Sequence, residues 1–73
     1  MNTEFNYECI ISDDKKIQLF IVEITELAKT DPSIFCKIDL IYISTLSTEY
    51  NLKFKCLNYK NFNYLYNFIT KIK

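Results

Sequence analysis

Apolar and polar residues alternate along the first segment of the chain. Between Thr3 and Ile11, every second residue from Phe5 onward is apolar or aromatic, while positions 4, 6 and 8 hold Glu or Asn. A period of two places successive side chains on opposite faces of an extended chain. The pattern therefore predicts a first strand with one buried face.

The spacing of apolar residues becomes helical after Ser12. Asp13 and Asp14 carry oxygens that suit the positive end of a helix, and Pro32 disfavours helix in the residue before it. The apolar residues between these signals are Ile17, Phe20, Ile21, Ile24, Leu27 and Ala28. They predict a first helix over about residues 13–30, with these side chains in the core.

Two more strands are predicted in the middle of the sequence. Residues 31–33 are able to cap another helix, but residues 34–43 are dense in β-branched and aromatic side chains, which favours a strand instead. Residues 45–49 form a polar reversal. After it, Tyr50, Leu52, Phe54 and Cys56 alternate with Asn and Lys, as expected for a third strand.

The last segment has the pattern of a second helix. Asn58 is a suitable N-cap, and Lys71 and Lys73 suit the negative end of the helix dipole. The predicted buried stripe consists of Tyr59, Phe62, Leu65, Tyr66, Ile69 and Ile72. The element order is therefore strand, helix, strand, strand, helix.

This order limits the topology to a few arrangements. A right-handed crossover makes strands one and two parallel, and a hairpin makes strands two and three antiparallel. Glu4 and Glu8 would face Lys53 and Lys55 if strand three were central, which favours the order 1-3-2. We therefore predict one α+β domain over residues 1–73, with a three-stranded mixed sheet and both helices on one face. Its topology is that of a ferredoxin-like fold without the last strand, a likeness that implies no activity.

The residue inventory excludes most catalytic chemistry. The 73 residues include no His and no Gly, and all nine cationic side chains are Lys. A proton shuttle near neutral pH and a glycine-rich phosphate loop are thus missing. Cys9, Cys36 and Cys56 have no close pair and no His to complete a zinc site, so we expect three free core thiols. We expect neither enzymatic activity nor a cofactor.

The sequence also carries no sign of a membrane. The N-terminus has no basic region followed by an apolar stretch, and the longest apolar runs are four residues. A bilayer requires about 20 apolar residues. We expect a cytoplasmic protein without a signal peptide.

Apolar residues outside the predicted core indicate surfaces for a partner. Leu19 and Val22 lie opposite the core stripe of the first helix, near Glu23 and Glu26. On the outer face of the sheet we expect Phe35, Ile41 and Ile43. Three strands also leave two open edges, which invite pairing with another chain. A protein partner with a basic groove, or a second copy in a homodimer, would cover these surfaces.

A nucleic-acid partner is the alternative. All nine acidic residues lie before position 50, whereas the remaining third of the chain has five lysines and no acid. The residues that would contact phosphates and stack bases are Lys53, Lys55, Lys60, Tyr64 and Lys71. A surface without any Arg is a weak nucleic-acid signal, so this is the second hypothesis.

Small size, absent catalytic chemistry and surplus apolar residues define the general character of the chain. Ile, Lys, Asn, Tyr and Phe, all with A/T-rich codons, dominate the composition. In this character the chain resembles the small phage or mobile-element inhibitors of bacterial defence, anti-CRISPR proteins among them. The resemblance implies a non-enzymatic protein that blocks or modulates a macromolecular partner by occupying its surface.

Overall fold

The computed structural model describes residues 3–73 and contains the five predicted elements in the predicted order. They are β1 (Phe5–Ile11), α1 (Asp14–Ala28), β2 (Phe35–Ile43), β3 (Thr48–Cys56) and α2 (Tyr59–Ile72). The prediction of one domain over residues 1–73 includes Met1 and Asn2, which lie outside the described residues. Neither α1 nor α2 is long and apolar enough to cross a bilayer.

The sheet has the predicted order β1-β3-β2. β1 and β2 run in the same direction, but β3 lies between them, so each hydrogen-bonded pair of strands is antiparallel. The prediction of a mixed sheet was therefore wrong, because the strand order leaves no parallel pair side by side. The charges that favoured this order do meet across the strands. Glu8 lies opposite Lys53, and the carboxylate of Glu4 lies 3.6 Å from the amine of Lys55.

Both helices cover the same face of the sheet. The ring centroid of Phe20 on α1 lies 5.4 Å from that of Phe54 on β3, and Leu65 on α2 is fully buried in the same cluster. The cluster consists of Ile11, Ile17, Phe20, Ile24, Leu52, Phe54, Leu65 and Ile69. The predicted placement of both helices on one face is thus confirmed.

Each helix buries a narrower stripe than its sequence suggests. Ile21 and Ala28 were predicted in the core but are exposed, as are Tyr59 and Tyr66 on α2. Two helices lie side by side over only three strands, so each helix turns part of its apolar surface to solvent. The Tyr66 ring still packs edge-on against Tyr7, with centroids 4.9 Å apart.

Polar side chains cap both helices at their N-termini. The carboxylate of Asp13 accepts a hydrogen bond from the backbone N–H of Lys15 at 2.8 Å. The Asn58 side chain accepts one from the N–H of Asn61 at 3.1 Å. These bonds satisfy N–H groups that have no partner within the helix, so they fix where each helix begins.

Asp31 joins the end of α1 to the start of α2. One of its carboxylate oxygens accepts hydrogen bonds from the Ser33 N–H at 3.1 Å and hydroxyl at 2.7 Å. The other accepts from the Asn61 amide at 2.9 Å. The hydrogen bonds from Asn61 and Ser33 lower the pKa of Asp31 below its ordinary value.

The loop between β2 and β3 turns without glycine. The hydroxyl of Ser44 accepts hydrogen bonds from the N–H groups of Leu46 and Ser47, at 3.2 and 3.0 Å, and the Ser44 N–H donates to the Ser47 carbonyl. The reversal is shorter than predicted, and β3 begins at Thr48 instead of Tyr50. No residue between 3 and 73 has a φ angle in the left-handed region that favours glycine.

An irregularity in β2 changes which side chains face outward. Leu40 pairs with Tyr50, but Tyr42 pairs with Glu49, so Ile41 is an extra residue in the ladder. After this bulge Ile43 lies opposite Thr48, on the face that the helices cover elsewhere. The expectation of Ile43 on the outer face was therefore wrong, because the bulge reverses the alternation.

Replacing Phe54 by Ala should lower the free energy of unfolding by about 3–5 kcal/mol, because the ring is fully buried between both neighbouring strands and under α1. Urea denaturation followed by circular dichroism measures the change. Leu46→Ala is the control, because Leu46 is 96% exposed, and its effect should stay within about 0.5 kcal/mol. Equal losses from both variants would contradict the assigned core.

Asp31→Asn should destabilise the protein at neutral pH, and the difference from the wild type should shrink in acid. The lowered pKa means that the ionised carboxylate stabilises the folded state above the ordinary value of 3.8, and this stabilisation is lost as the pH falls through the folded-state pKa. Thermal unfolding at several pH values tests this. Glu49→Gln removes a carboxylate outside this network and is the control; an equal loss of stability from Glu49→Gln at neutral pH would contradict the role of the Asp31 hydrogen bonds.

Candidate interaction surfaces

The outward face of α1 carries a shallow apolar groove. The side chains of Leu19 and Val22 are 53% and 60% exposed. Together with Lys15 and Gln18 they line a surface depression of about 420 Å³. The spacing of three residues puts both aliphatic side chains on one side of the helix, away from the buried Phe20. Leu19 and Val22 are thus exposed side by side on α1, whereas Glu23 and Glu26 do not line the depression.

The two acidic residues near this groove are already held by neighbouring groups. The Tyr64 hydroxyl of α2 donates a hydrogen bond to Glu23 at 2.8 Å, which raises the pKa of Tyr64. Glu26 forms an exposed ion pair with Lys29 at 3.1 Å. Glu23 is therefore fixed in position between the helices, whereas Glu26 is partly neutralised at the rim.

The outer face of the sheet has no covering layer in residues 3–73, but it is less apolar than expected. Phe35 is exposed there and lies under the amine of Lys55, 5.2 Å from the ring centroid. Ile41 is exposed in the bulge, whereas Ile43 has moved to the other face. The predicted set of Phe35, Ile41 and Ile43 therefore does not form one surface.

Sequence reasoning missed three exposed apolar residues near the tip of the hairpin. They are Leu40, Tyr42 and Leu46. A strict period of two places Tyr42 on the helix side, but its pairing with Glu49 places it on the outer face. Leu46 is 96% exposed at the turn. The sequence signal for Leu46 was its position as a lone apolar residue inside a polar reversal.

The residues of the nucleic-acid hypothesis fall on opposite sides of the domain. Lys53 and Lys55 alternate with buried residues of β3 and lie on the outer sheet face. Lys60, Tyr64 and Lys71 line a depression on α2, in the layer that covers the other sheet face. The sheet separates the two groups, so they do not form one continuous basic surface.

A cleft of about 460 Å³ lies between the start of α1 and the hairpin loop. It is lined mainly by hydroxyl side chains together with Asp13 and Asp14. Both carboxylates already have structural roles, since Asp13 caps α1 and Asp14 accepts a hydrogen bond from the Tyr50 hydroxyl. The cleft therefore contains no spare pair of carboxylates for acid and base catalysis.

All three cysteines are free thiols. Cys56 is buried, while Cys9 and Cys36 are partly buried. Burial raises the pKa of all three thiols, that of Cys36 to about 11. A raised pKa keeps a thiol protonated and unreactive at neutral pH. Over residues 3–73, no three Cys, Asp or Glu side chains are grouped to hold a metal ion.

Alkylation should therefore be slow in the folded protein. At pH 8, iodoacetamide should label Cys36 of the folded protein at least tenfold more slowly than Cys36 of the chain unfolded in urea. The reason is that the thiolate fraction falls tenfold for each unit by which the pKa rises. Mass spectrometry of digested samples at timed intervals measures the rate. Labelling of Cys36 at the rate of the unfolded chain would contradict its burial.

Comparisons of this chain with models of protein families, with characterised proteins and with solved structures find no match.

Proposed function

We propose that the protein is a non-enzymatic inhibitor or modulator that occupies the surface of a protein partner with the outward face of α1. The observation that carries the proposal is the adjacent exposure of Leu19 and Val22 on a helix whose opposite face is anchored in the core. Exposed aliphatic residues are common singly. Leu19 and Val22 instead lie next to each other in one groove, so a single partner surface is able to cover both side chains.

The rigidity of α1 favours binding through this face. Ile17, Phe20 and Ile24 fix the helix on the sheet, and Asp13 caps its start. Few groups therefore lose freedom when a partner covers Leu19 and Val22, which limits the entropic cost of association. Central aliphatic contacts of this kind contribute affinity, while charged groups at the rim affect mainly the rate of encounter.

The rim charges favour a basic groove as the complementary surface. Glu23 keeps a fixed carboxylate through its hydrogen bond from Tyr64, and Glu26 remains largely exposed beside Lys29. These acids are suited to lysine or arginine side chains around an apolar contact. Nucleic-acid-binding defence complexes, the partner class implied by the resemblance to anti-CRISPR proteins, carry basic grooves because they contact phosphates.

The described polar groups support a binding role over a catalytic one. Asp13, Asp14 and Asp31 take part in helix capping or in hydrogen bonds between elements. The three thiols have raised pKa values and the chain has no His to activate them. These three carboxylates and three thiols thus already have structural explanations.

The double variant Leu19→Ser, Val22→Ser should lose inhibition while it stays folded, because both side chains are exposed. We expect loss of at least tenfold in a phage plating assay on bacteria that carry a CRISPR nuclease, with the protein expressed from a plasmid. Leu46→Ser is the control, since it removes an even more exposed aliphatic side chain from the hairpin tip and should keep full activity.

Two results would contradict the proposal. A double variant with a wild-type circular dichroism spectrum and full inhibition would exclude the α1 face. A wild-type protein without effect on any defence nuclease offered would exclude the anti-CRISPR-like role.

A further inference from the structure

The free edge of β2 is the longest open strand edge of the sheet. β2 has nine residues and, within residues 3–73, pairs only with β3. Its other edge presents unpaired backbone groups, which form a template for another strand. The single proline of the chain, Pro32, precedes β2 and does not block this edge. A partner strand must therefore be identified from the side chains of β2 themselves.

The sequence of β2 is complementary to itself in one antiparallel register. When Ile38 lies opposite Ile38 of a second copy, Lys37 lies opposite Asp39 of that copy, and Asp39 opposite its Lys37. Further along the strand, Cys36 then meets Leu40, and Phe35 meets Ile41. We propose that the protein forms a homodimer in this register, about a two-fold axis that passes through Ile38 perpendicular to the sheet.

The charges favour this register over its neighbours. In the single chain, Lys37 lies directly opposite Lys53, and its amine reaches Asp39 of its own strand at 3.8 Å. Like charges opposite one another across a sheet are unfavourable. In the dimer each Lys37 gains Asp39 of the second copy on its other side. A slip of two residues would instead place Asp39 opposite Asp39, or Lys37 opposite Lys37.

The apolar residues agree with the same pairing. Ile38 and Cys36 are partly buried on the helix face, and Leu40 on that face is 52% exposed. The dimer covers Leu40 with Cys36 of the second copy and joins the two Ile38 side chains at the axis. On the outer face, Phe35 and Ile41 cover each other. Leu40, Phe35 and Ile41, which are exposed in the single chain, thus each obtain an apolar neighbour. Both helix layers stay on the same side of a six-stranded sheet.

Charge reversal tests the register directly. Lys37→Asp places Asp opposite Asp, and Asp39→Lys places Lys opposite Lys, so each variant alone should dimerise at least tenfold more weakly than the wild type. An equimolar mixture of the two variants pairs Asp with Lys at both positions and should recover the dimer. The double variant Lys37→Asp, Asp39→Lys exchanges the two charges within one chain. Two copies of this variant again place Asp opposite Lys, so it should also dimerise.

Sedimentation equilibrium gives the masses. The wild type should approach twice its monomer mass of 8.8 kDa as its concentration rises. Lys60→Asp and Glu26→Lys make the same charge changes on the helices and should leave this association unchanged. Circular dichroism checks that each variant is folded.

Three outcomes would overturn the proposal. They are a wild type that remains at 8.8 kDa at millimolar concentration, single variants that dimerise as tightly as the wild type, and a mixture of the two single variants that stays monomeric. The second outcome would leave a dimer with another interface. The helix-face variants of the inhibitor test are independent of this result, because Leu19 and Val22 lie on α1.

Discussion

The structure depends on the burial of β3 between β1 and β2. Leu52 and Phe54 are fully buried there, and both helices pack against the face that carries them. β3 is the last strand in the sequence, yet it is the central strand of the sheet. β1 therefore has no strand partner until the C-terminal half of the chain is in place. The pairing of β1 with β3 joins residues that are far apart in the sequence, and most of the core is buried only once this pairing has formed. Folding is therefore cooperative over nearly the whole chain.

Periodicity and charge were sufficient to predict the architecture. Each pattern reflects a single buried face: the alternation around Phe5 and Phe54, and the helical spacing around Phe20. The structure places these faces in or against the core. The strand order followed from opposite charges on β1 and β3, and Glu4 does reach Lys55. Where one physical constraint dominated a segment, the sequence pattern was a reliable guide to its structure.

The candidate surfaces were harder to predict, because they depend on small departures from regular geometry. One extra residue at Ile41 moves Ile43 to the opposite face, and nothing in the apolar run from Leu40 to Ile43 marks that position. The width of the helix stripes depends on how many strands lie beneath them, so Ile21 became exposed. By contrast, Leu19 and Val22 were predicted correctly as exposed, since they lie directly opposite the buried stripe.

The turn at Ser44 has a consequence for how the sequence is able to vary. Because hydroxyl hydrogen bonds shape this turn and no described residue lies in the left-handed region, the backbone between residues 3 and 73 requires glycine nowhere. Surface positions are then restricted by burial and pairing alone and not by backbone conformation. Such a chain accepts many single replacements on its exterior without refolding, so its outward side chains are able to diverge while the hidden residues stay the same.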